Sequence, residues 1–243
     1  MFSNFKIEFA NEDLAFKNQF WVQFVSQMCQ NQKLDSQVYR IVFDESKPTI
    51  YDSNSRKFKI DFNNDKQNYA KIKSGMRTEP LAKALGAGDK GLKVLDLSAG
   101  LGVDAIFLNQ MGFQVTALER NPIVFMALKI ASDFYNIETQ NKIEFIHADA
   151  LSFTKTLGQS QVFDLGYFDP MFPEKKKSAL PKQEMVLFKN LVGQDLDAEA
   201  LVQFVCENHF FKRFVVKRPL AAASFGRPQG SIKGKIIRYD IYS

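Results

Sequence analysis

From Leu92 to the end of the chain, short apolar runs alternate with stretches that have the periodicity of helices, and this alternation limits the fold to few classes. The apolar runs are LKVLDLS, QVTALE, IEFIHAD, VFDLGYFD and FKRFVVK. Helical patterns lie near residues 103–111, 122–135, 182–191 and 197–208. Unbroken apolar strands connected by helices are typical of a parallel sheet covered on both faces. We therefore predict an α/β fold with a mostly parallel sheet.

The two ends of the chain have different patterns. The final segment IKGKIIRYDIY alternates polar and apolar residues, which predicts one or two antiparallel strands at the edge of the sheet. Residues 1–76 mix short apolar runs with polar, turn-rich stretches and carry one helical pattern near residues 12–30. We predict a small α+β extension over residues 1–76 and an α/β domain over residues 77–243.

Composition excludes several classes of protein. Of the 243 residues 45% are hydrophobic, too many for a disordered chain, and no run approaches the roughly 18 apolar residues of a membrane span. The N-terminus lacks the basic-then-apolar order of a signal peptide, so we expect a soluble cytoplasmic protein. The two Cys and two His are too scattered for a zinc or redox site. No G-x-S-x-G turn is present, which leaves chemistry carried out by a cofactor or by positioning.

A glycine-rich turn follows the first strand of the α/β part. LKVLDLS runs into AGLGVDA, where Gly100 and Gly102 allow the backbone to approach a ligand before a helix begins. Ala105 stands where the third small residue of G-x-G-x-x-G/A is expected. Open α/β sheets bind ligands at such a turn, so the pattern predicts a cofactor site.

The next two strands end in acids that suit an adenosine. Glu119 ends QVTALE roughly 20 residues after Gly100, the interval that directs a carboxylate to the ribose hydroxyls. Asp149 ends IEFIHAD and Ala150 follows it; there Asp149 can accept the adenine amine and the Ala150 N–H can meet a ring nitrogen. Dinucleotides and S-adenosylmethionine both contain adenosine, so these residues leave both cofactors open.

The fourth strand ends in the run DPMFP. It resembles the [DNS]-P-P-[FYW] signature of methyltransferases that act on exocyclic amines, with Met171 in place of the second proline. Asp169 and the Pro170 carbonyl can accept the two amine hydrogens, which directs the nitrogen lone pair toward a methyl sulfonium. Phe172 can stack on the base. Such positioning lowers a reaction barrier without a general base, so we predict methyl transfer to a planar amine.

A wider resemblance supports this prediction. RTEPLAKALG, VLDLSAGLGVDAIFL, LERNP, HAD, DPMFPEKKKSAL, VVKRP and RYDIY resemble the RsmJ family, bacterial small-subunit (16S) ribosomal RNA guanine-N2 methyltransferases. The resemblance covers most of residues 77–243 and implies a Rossmann-like class I methyltransferase fold that uses S-adenosylmethionine. The cofactor contacts that it implies fall on Val103, Asp104, Glu119, Arg120, Asp149, Ala150 and Asp169.

Two positions depart from the pattern of the RsmJ family. Arg is expected at Val103, and a Ser pair is expected at Asp149 and Ala150. A backbone contact at Val103 would survive this change, whereas a side-chain contact would not. Asp149 keeps an oxygen acceptor for adenine.

Basic residues follow the fourth and fifth strands, at the edge where we predict the active site. On a rim of that edge they could neutralise RNA phosphates. The formal net charge of +5 is modest, so we expect binding to ribosomal RNA that is already folded, or to the small ribosomal subunit. The predicted RNA contacts are Lys175, Lys176, Lys177, Lys182, Lys217 and Arg218.

Three other functions are compatible with these motifs. The DPMF turn could hold a DNA adenine or a protein glutamine instead of guanine. The glycine turn with Glu119 also fits a nicotinamide-dependent oxidoreductase. A non-catalytic RNA-binding protein could keep the same fold, although the acids at the strand ends argue against it.

Overall fold

The structure is a computed structural model that describes residues 5–30, 39–63, 78–86, 91–138, 142–158, 162–172 and 183–243. Two compact units can be distinguished. The first contains Met1–Asp61, Asn121–Asp133 and Met171–Gln194, and the second contains Phe62–Arg120, Phe134–Pro170 and Asp195–Ser243. The domain boundary predicted at residue 76 lies outside the described residues and stays a prediction.

The first unit has a small mixed sheet. Its strands within the described residues are β1 (Phe5–Phe9), β2 (Tyr39–Phe43), β3 (Thr49–Tyr51) and β4 (Lys57–Lys59), hydrogen-bonded in this order. β1 pairs with β2 in parallel, and the other pairs are antiparallel. The sequence pattern does not indicate β3 or β4, because each is only three residues long and stands among polar residues.

The helical pattern over residues 12–30 forms two helices rather than one. They are α1 (Glu12–Lys17) and α2 (Gln19–Gln30), and Asn18 separates them with a φ of −107°. The side-chain amide of Asn18 donates a hydrogen bond to the carbonyl oxygen of Leu14 over 2.9 Å. Asn forms such local side-chain bonds readily, which favours helix ends over helix interiors. The prediction of a single helix is therefore wrong at this residue.

The second unit contains a seven-stranded sheet. Its order is β10-β11-β9-β8-β5-β6-β7, in which β5 to β9 pair in parallel and β10 and β11 are antiparallel. Both predictions, the mostly parallel sheet and its antiparallel edge, are confirmed. The strands are β5 (Lys93–Asp96), β6 (Gln114–Glu119), β7 (Ile143–His147), β8 (Leu165–Phe168), β9 (Arg213–Pro219), β10 (Gly230–Lys233) and β11 (Ile237–Tyr242).

Helices connect the strands of this sheet. The second unit contains α3 (Pro80–Leu85), α4 (Val103–Gln110), α6 (Ala150–Thr156) and α8 (Ala198–Asn208). α5 (Pro122–Glu138) begins in the first unit and ends in the second, and α7 (Gln183–Val192) belongs to the first. Over the described ranges, no helix has both the length and the apolar character that crossing a membrane requires.

The order of the parallel strands reverses at β5. β6 and β7 follow on one side of it, whereas β8 and β9 follow on the other. Because all five strands are parallel, their carboxyl ends meet at one edge of the sheet. Connections leave a crevice at such a reversal, and open α/β sheets bind ligands there.

The core of the second unit is tightly packed around β8. Leu95, Leu118, Phe168 and Val216 from the strands belong to one buried cluster with residues of α8. At Gly166 of β8, an added Cβ would lie 2.5 Å from Cδ2 of Phe211. Real Cβ atoms do not approach other atoms so closely, so Gly166 is required by packing.

We expect Gly166→Ala to lower the free energy of unfolding by about 1–3 kcal/mol, because the new methyl group must displace buried rings. Gly230→Ala is the matched control, since an added Cβ there meets nothing within 4 Å. Urea denaturation of both variants measures the difference. Equal stability of the two variants would contradict the packing argument.

Candidate functional site

The turn after β5 requires glycine at two positions. Gly100 has a φ of 55° and Gly102 a φ of 77°, in the left-handed region that disfavours other residues. Gly102 is the N-cap of α4, so the turn ends where the free N–H groups of a helix begin. The Ala99 N–H donates to Leu118 O over 2.8 Å and thereby ties the turn to β6.

Glu119 lies beside this turn, as the spacing predicted. Its Oε2 accepts a hydrogen bond from the Gly100 N–H over 3.1 Å, and the residue is only 6% exposed. The carboxylate therefore has a fixed position at the carboxyl end of β6. A ribose at this edge could donate its hydroxyl hydrogens to it.

Asp149 and Ala150 stand at the end of β7, where α6 begins. Asp149 is the N-cap of α6, and its Oδ1 accepts from the Ser152 N–H over 2.9 Å. The capping bond fixes the direction of the carboxylate. The Ala148 N–H donates to Glu119 O over 3.1 Å, so the ends of β6 and β7 are held side by side.

Arg120 makes ion pairs with the segment before α8. Its guanidinium lies 2.5 Å from Asp195 Oδ1 and 3.3 Å from Asp197 Oδ1. Its carbonyl oxygen is 3.0 Å from His147 Nε2. Burial lowers the pKa of His147, although the contact with this carbonyl opposes the change. Arg120 thus joins the ends of β6 and β7 to the start of α8.

Three charged side chains meet between β8, α4 and β9, and we call them the Asp104–Lys217–Asp169 cluster. Lys217 Nζ lies 2.8 Å from Asp169 Oδ2 and 3.0 Å from Asp104 Oδ2. The Tyr167 hydroxyl donates to Asp104 Oδ2 over 2.6 Å. The Asp169 N–H donates to Ser98 Oγ over 2.7 Å, which ties the end of β8 to the turn after β5.

Burial changes the protonation of the acids at this edge. It raises the pKa of Asp169 to about 6, with Lys217 opposing the change and Asp104 adding to it. It also raises the pKa of Asp96 to about 8, where the Ser98 N–H opposes it and the charges of Asp104 and Asp169 add to it. Burial alone would lower the pKa of Lys217, but the two carboxylates beside it raise the value instead.

Asp96 Oδ2 is a buried acceptor that has no hydrogen-bond partner among the described residues. With a pKa of about 8, Asp96 is mostly protonated at neutral pH, but the Asp104–Lys217–Asp169 cluster alone has two carboxylates for one cation. Such a set fits a nucleoside cofactor that carries positive charge, as S-adenosylmethionine does on its sulfonium and ammonium groups. It does not suit the anionic pyrophosphate of a dinucleotide. The described residues contain no group of His, Cys, Asp and Glu that could hold a metal ion.

The remaining predicted residues are placed differently. Lys217 lies in the cluster rather than on a rim, because it belongs to β9, which pairs with β8. Arg218, its neighbour, is 7% exposed; its Nε donates to Ala223 O over 3.0 Å and its guanidinium lies over the Phe225 ring. Both side chains therefore have partners within the protein in place of the predicted phosphates.

Other predicted residues add little to this geometry. Val103 is half-buried in the first turn of α4, and Pro170 is buried after β8. Phe172 belongs to the first unit, so its contact with a base stays a prediction. The predicted RNA contacts Lys175, Lys176, Lys177 and Lys182 lie outside the described residues.

Sequence reasoning missed several residues of the site. Asp96 ends β5, and its position before a glycine turn is a signal that could have identified it. Tyr167 and Ser98 carry no signal of their own, because a Tyr in a buried strand and a Ser in a turn are common. The pairing of Arg120 with Asp195 joins positions too distant in sequence to be foreseen.

Comparisons with known proteins agree with this geometry. A family profile of SAM-dependent methyltransferases matches residues 24–243. The ribosomal RNA small subunit methyltransferase J of Bdellovibrio bacteriovorus is 36% identical over 223 residues, 91% of this chain and 88% of that protein. The protein of that name from Hydrogenovibrio crunogenus is 36% identical over 196 residues, 76% of this chain and 69% of its own.

A solved structure is similar in fold. The SAM-dependent methyltransferase from Neisseria gonorrhoeae superposes with a TM-score of 0.67 over 97% of this chain and 94% of its own, at 23% identity. At this identity the likeness supports the fold, a Rossmann-like methyltransferase fold, and not the substrate.

We expect Glu119→Gln to weaken S-adenosylmethionine binding by roughly 10- to 100-fold, since a hydrogen bond to a charged group contributes about 1.5–3 kcal/mol. Glutamine keeps an oxygen for the Gly100 N–H, so the turn should persist. Calorimetric titration measures the dissociation constant, and Glu144→Gln, an exposed acid on β7, is the control. Equal affinities for both variants would rule out the ribose contact.

Proposed function

The chain belongs to the ribosomal RNA small subunit methyltransferase J family of SAM-dependent methyltransferases, and on this premise we propose that it methylates the exocyclic N2 amine of a guanine in small-subunit (16S) ribosomal RNA. The methyl donor is S-adenosylmethionine. One observation carries the proposal: the Asp169 N–H donates to Ser98 Oγ over 2.7 Å, which holds the Asp169–Pro170 pair against the turn where we place the cofactor.

The residues at the end of β8 hold the amine in this proposal. Asp169 and the Pro170 carbonyl accept one amine hydrogen each, and Phe172 stacks on the guanine. When bound, S-adenosylmethionine supplies an electrophilic methyl group on sulfur. It would transfer this methyl group to the amine nitrogen and leave as the neutral thioether, and the amine would then have to lose one hydrogen as a proton. We assign Asp169 as the acceptor of this proton, because in this arrangement one amine hydrogen points at its carboxylate; burial also raises its pKa to about 6.

The cofactor contacts follow the strand ends. Glu119 binds the ribose hydroxyls, Asp149 and the Ala150 N–H bind adenine, and the turn with Gly100 and Gly102 lets the methionine portion approach. Val103 contributes its backbone in the first turn of α4. Asp104 acts through the Asp104–Lys217–Asp169 cluster, and Arg120 acts through its ion pairs with the segment before α8.

The other candidate functions are weaker on physical grounds. A nicotinamide-dependent oxidoreductase would have to bring a pyrophosphate near the carboxylates of Asp104 and Asp169. A DNA adenine or a protein glutamine presents the same planar amine to Asp169, so these remain the alternative substrates. The membership of the family favours ribosomal RNA over both.

RNA phosphates require cations other than Lys217 and Arg218, whose side chains have partners within the protein. Lys233 and Lys235 are exposed at the tip of the β10–β11 hairpin. The first residue of β11 pairs with Pro219, the last residue of β9, so this tip lies at the carboxyl edge of the parallel strands. We propose that both lysines bind the RNA backbone, alongside Lys175, Lys176, Lys177 and Lys182.

Further parts of the proposal rest on the sequence. The small ribosomal subunit or its RNA is the partner, and the cytoplasm is the place of action. Residues 77–243 form the methyltransferase domain, and residues 1–76 form an extension to it. No metal takes part in this chemistry, because the amine and the sulfonium react once they are positioned.

We expect purified protein to form N2-methylguanosine in small-subunit ribosomal RNA and Asp169→Ala to reduce the rate by roughly 100-fold or more, with the fold intact. Mass spectrometry of digested RNA identifies the product, and circular dichroism checks the fold. Glu207→Gln, an exposed acid at the end of α8, should keep full activity. A methylated adenine or peptide as the product would redirect the assignment, and normal turnover by Asp169→Ala would remove the proposed chemistry.

We expect the double variant Lys233→Ala, Lys235→Ala to bind RNA more weakly than the wild-type protein. The slope of log K against log salt should become shallower by roughly 1.5, because each lost phosphate contact contributes about 0.7–0.9 to that slope. Filter binding between 50 and 200 mM salt, roughly the range over which such contacts are lost, measures the slope. Lys142→Ala is the control, since Lys142 is exposed just before β7, at the opposite edge of the sheet. An unchanged slope in the double variant would exclude the hairpin tip.

A further inference from the structure

Lys217 occupies a position that RNA binding does not explain. Its Nζ lies between Asp169 Oδ2 and Asp104 Oδ2, at 2.8 and 3.0 Å, and its side chain is only 21% exposed. A lysine that neutralises phosphates needs a solvent-facing ammonium. This ammonium is instead directed at the acid that we assign to the target amine.

A series of contacts leads from the core of the sheet to Asp169. Tyr167 is fully buried in β8, and its hydroxyl donates to Asp104 Oδ2. The same oxygen accepts from Lys217, which also donates to Asp169 Oδ2. The rigid strand thus orients Asp104, Asp104 orients Lys217, and Lys217 orients Asp169.

We propose that Lys217 is a positioning residue, whose ammonium fixes the Asp169 carboxylate and keeps it ionised so that Oδ1 can accept a hydrogen of the target amine. The assignment rests on the proposed function. It gives Lys217 a part in the reaction without contact with the substrate. Because Lys217 uses Oδ2, the second oxygen of Asp169 is assigned to the amine.

The charges around Asp169 explain why a cation is needed. The largest positive influence on Asp169 comes from Lys217, and the acids and phenols around it act in the opposite direction or are themselves affected by its charge. These groups are Lys217 from β9, Asp104 from α4, Asp96 from β5, Asp195 from the segment before α8, Tyr167 from β8 and Tyr239 from β11. Burial raises the pKa of Asp169 to about 6, and Lys217 holds it down from a higher value. Without Lys217, a larger fraction of Asp169 would be protonated at neutral pH, and a protonated oxygen is a poorer acceptor.

The test is the pH dependence of methyl transfer by the full chain, with Lys217→Met, Lys217→Arg and the control Lys212→Met. Lys212 is an exposed lysine that pairs with Asp164 over 2.7 Å, so its replacement removes an ion pair away from the cluster. We expect Lys217→Met to lower kcat roughly 100-fold at neutral pH and to move the acidic limb of log kcat upward by roughly 1–3 pH units. Lys217→Arg should restore much of kcat and of the position of the acidic limb. In both Lys217 variants the KM for RNA and its salt dependence should equal those of the wild-type protein.

Asp104→Asn tests the same electrostatics with the opposite sign. Asp104 raises the pKa of Asp169, so its neutral replacement should move the acidic limb to lower pH at saturating cofactor. This variant keeps the proposal testable if Lys217→Met does not fold. Shifts in the same direction for both variants would overturn the proposal. An unshifted limb in Lys217→Met together with a raised KM for RNA would return Lys217 to phosphate binding and would also overturn it.

A titration that needs no substrate separates this inference from the proposed function. Carbon-13 NMR of labelled aspartate carboxyls in the full chain, assigned with Asp169→Asn, reports the pKa of Asp169 directly. Lys217→Met should raise it and Lys212→Met should not. If wild-type protein methylates no guanine but the Asp169 pKa still rises in Lys217→Met, the proposed function fails and the electrostatic role of Lys217 stands. If guanine is methylated and the pKa is unchanged, the inference about Lys217 fails alone.

Discussion

The pairing of β5 with β6 on one side and β8 on the other is the constraint on which the site depends. Beyond the strand ends, the Leu97 N–H donates to Tyr167 O and the Ala99 N–H to Leu118 O, both over 2.8 Å. These two bonds hold the segment after β5 between β8 and β6, and the chain must then turn sharply to begin α4. Only a backbone with left-handed residues completes that turn, which is why Gly100 and Gly102 stand there. Glu119 and Asp169 are brought to the turn by the same two strands.

The buried acids at this edge lower the stability of the folded protein near neutral pH. A carboxyl group whose pKa is raised in the folded state favours folding at low pH, and this contribution is lost as the pH rises through the folded pKa. Asp96, with a pKa of about 8, and Asp169, with a pKa of about 6, are both in this situation as neutral pH is approached. A hydrophobic residue at either position would avoid the penalty. Their presence is explained if the positively charged cofactor and the target amine interact with these acids when they are bound. Residues with shifted pKa values commonly cluster at functional sites.

Sequence reasoning located the parts of the site that depend on strand ends and missed those that depend on side-chain direction. Gly100, Glu119 and Asp169 were predictable because parallel strands bring their carboxyl ends together. Lys217 and Arg218 were predicted as one basic pair, but consecutive residues of a strand point to opposite faces. Lys217 therefore meets Asp169, whereas Arg218 lies against Phe225. The way in which helices and loops cover the sheet determines which of these two side chains is directed at the site. No local sequence pattern encodes that covering.

The two departures from the RsmJ pattern are compatible with a working site for a shared reason. At Asp149 a Ser is expected, and both residue types are strong N-caps that accept a hydrogen bond from the first turn of a helix. The Asp149 side chain does this for Ser152, so the change keeps α6 in place and adds a charge. At Val103 an Arg is expected, and Val103 begins α4, where the N–H groups of the first turn are available whatever the side chain is. Both positions lie at helix starts, where the backbone determines the geometry and the side chain can vary.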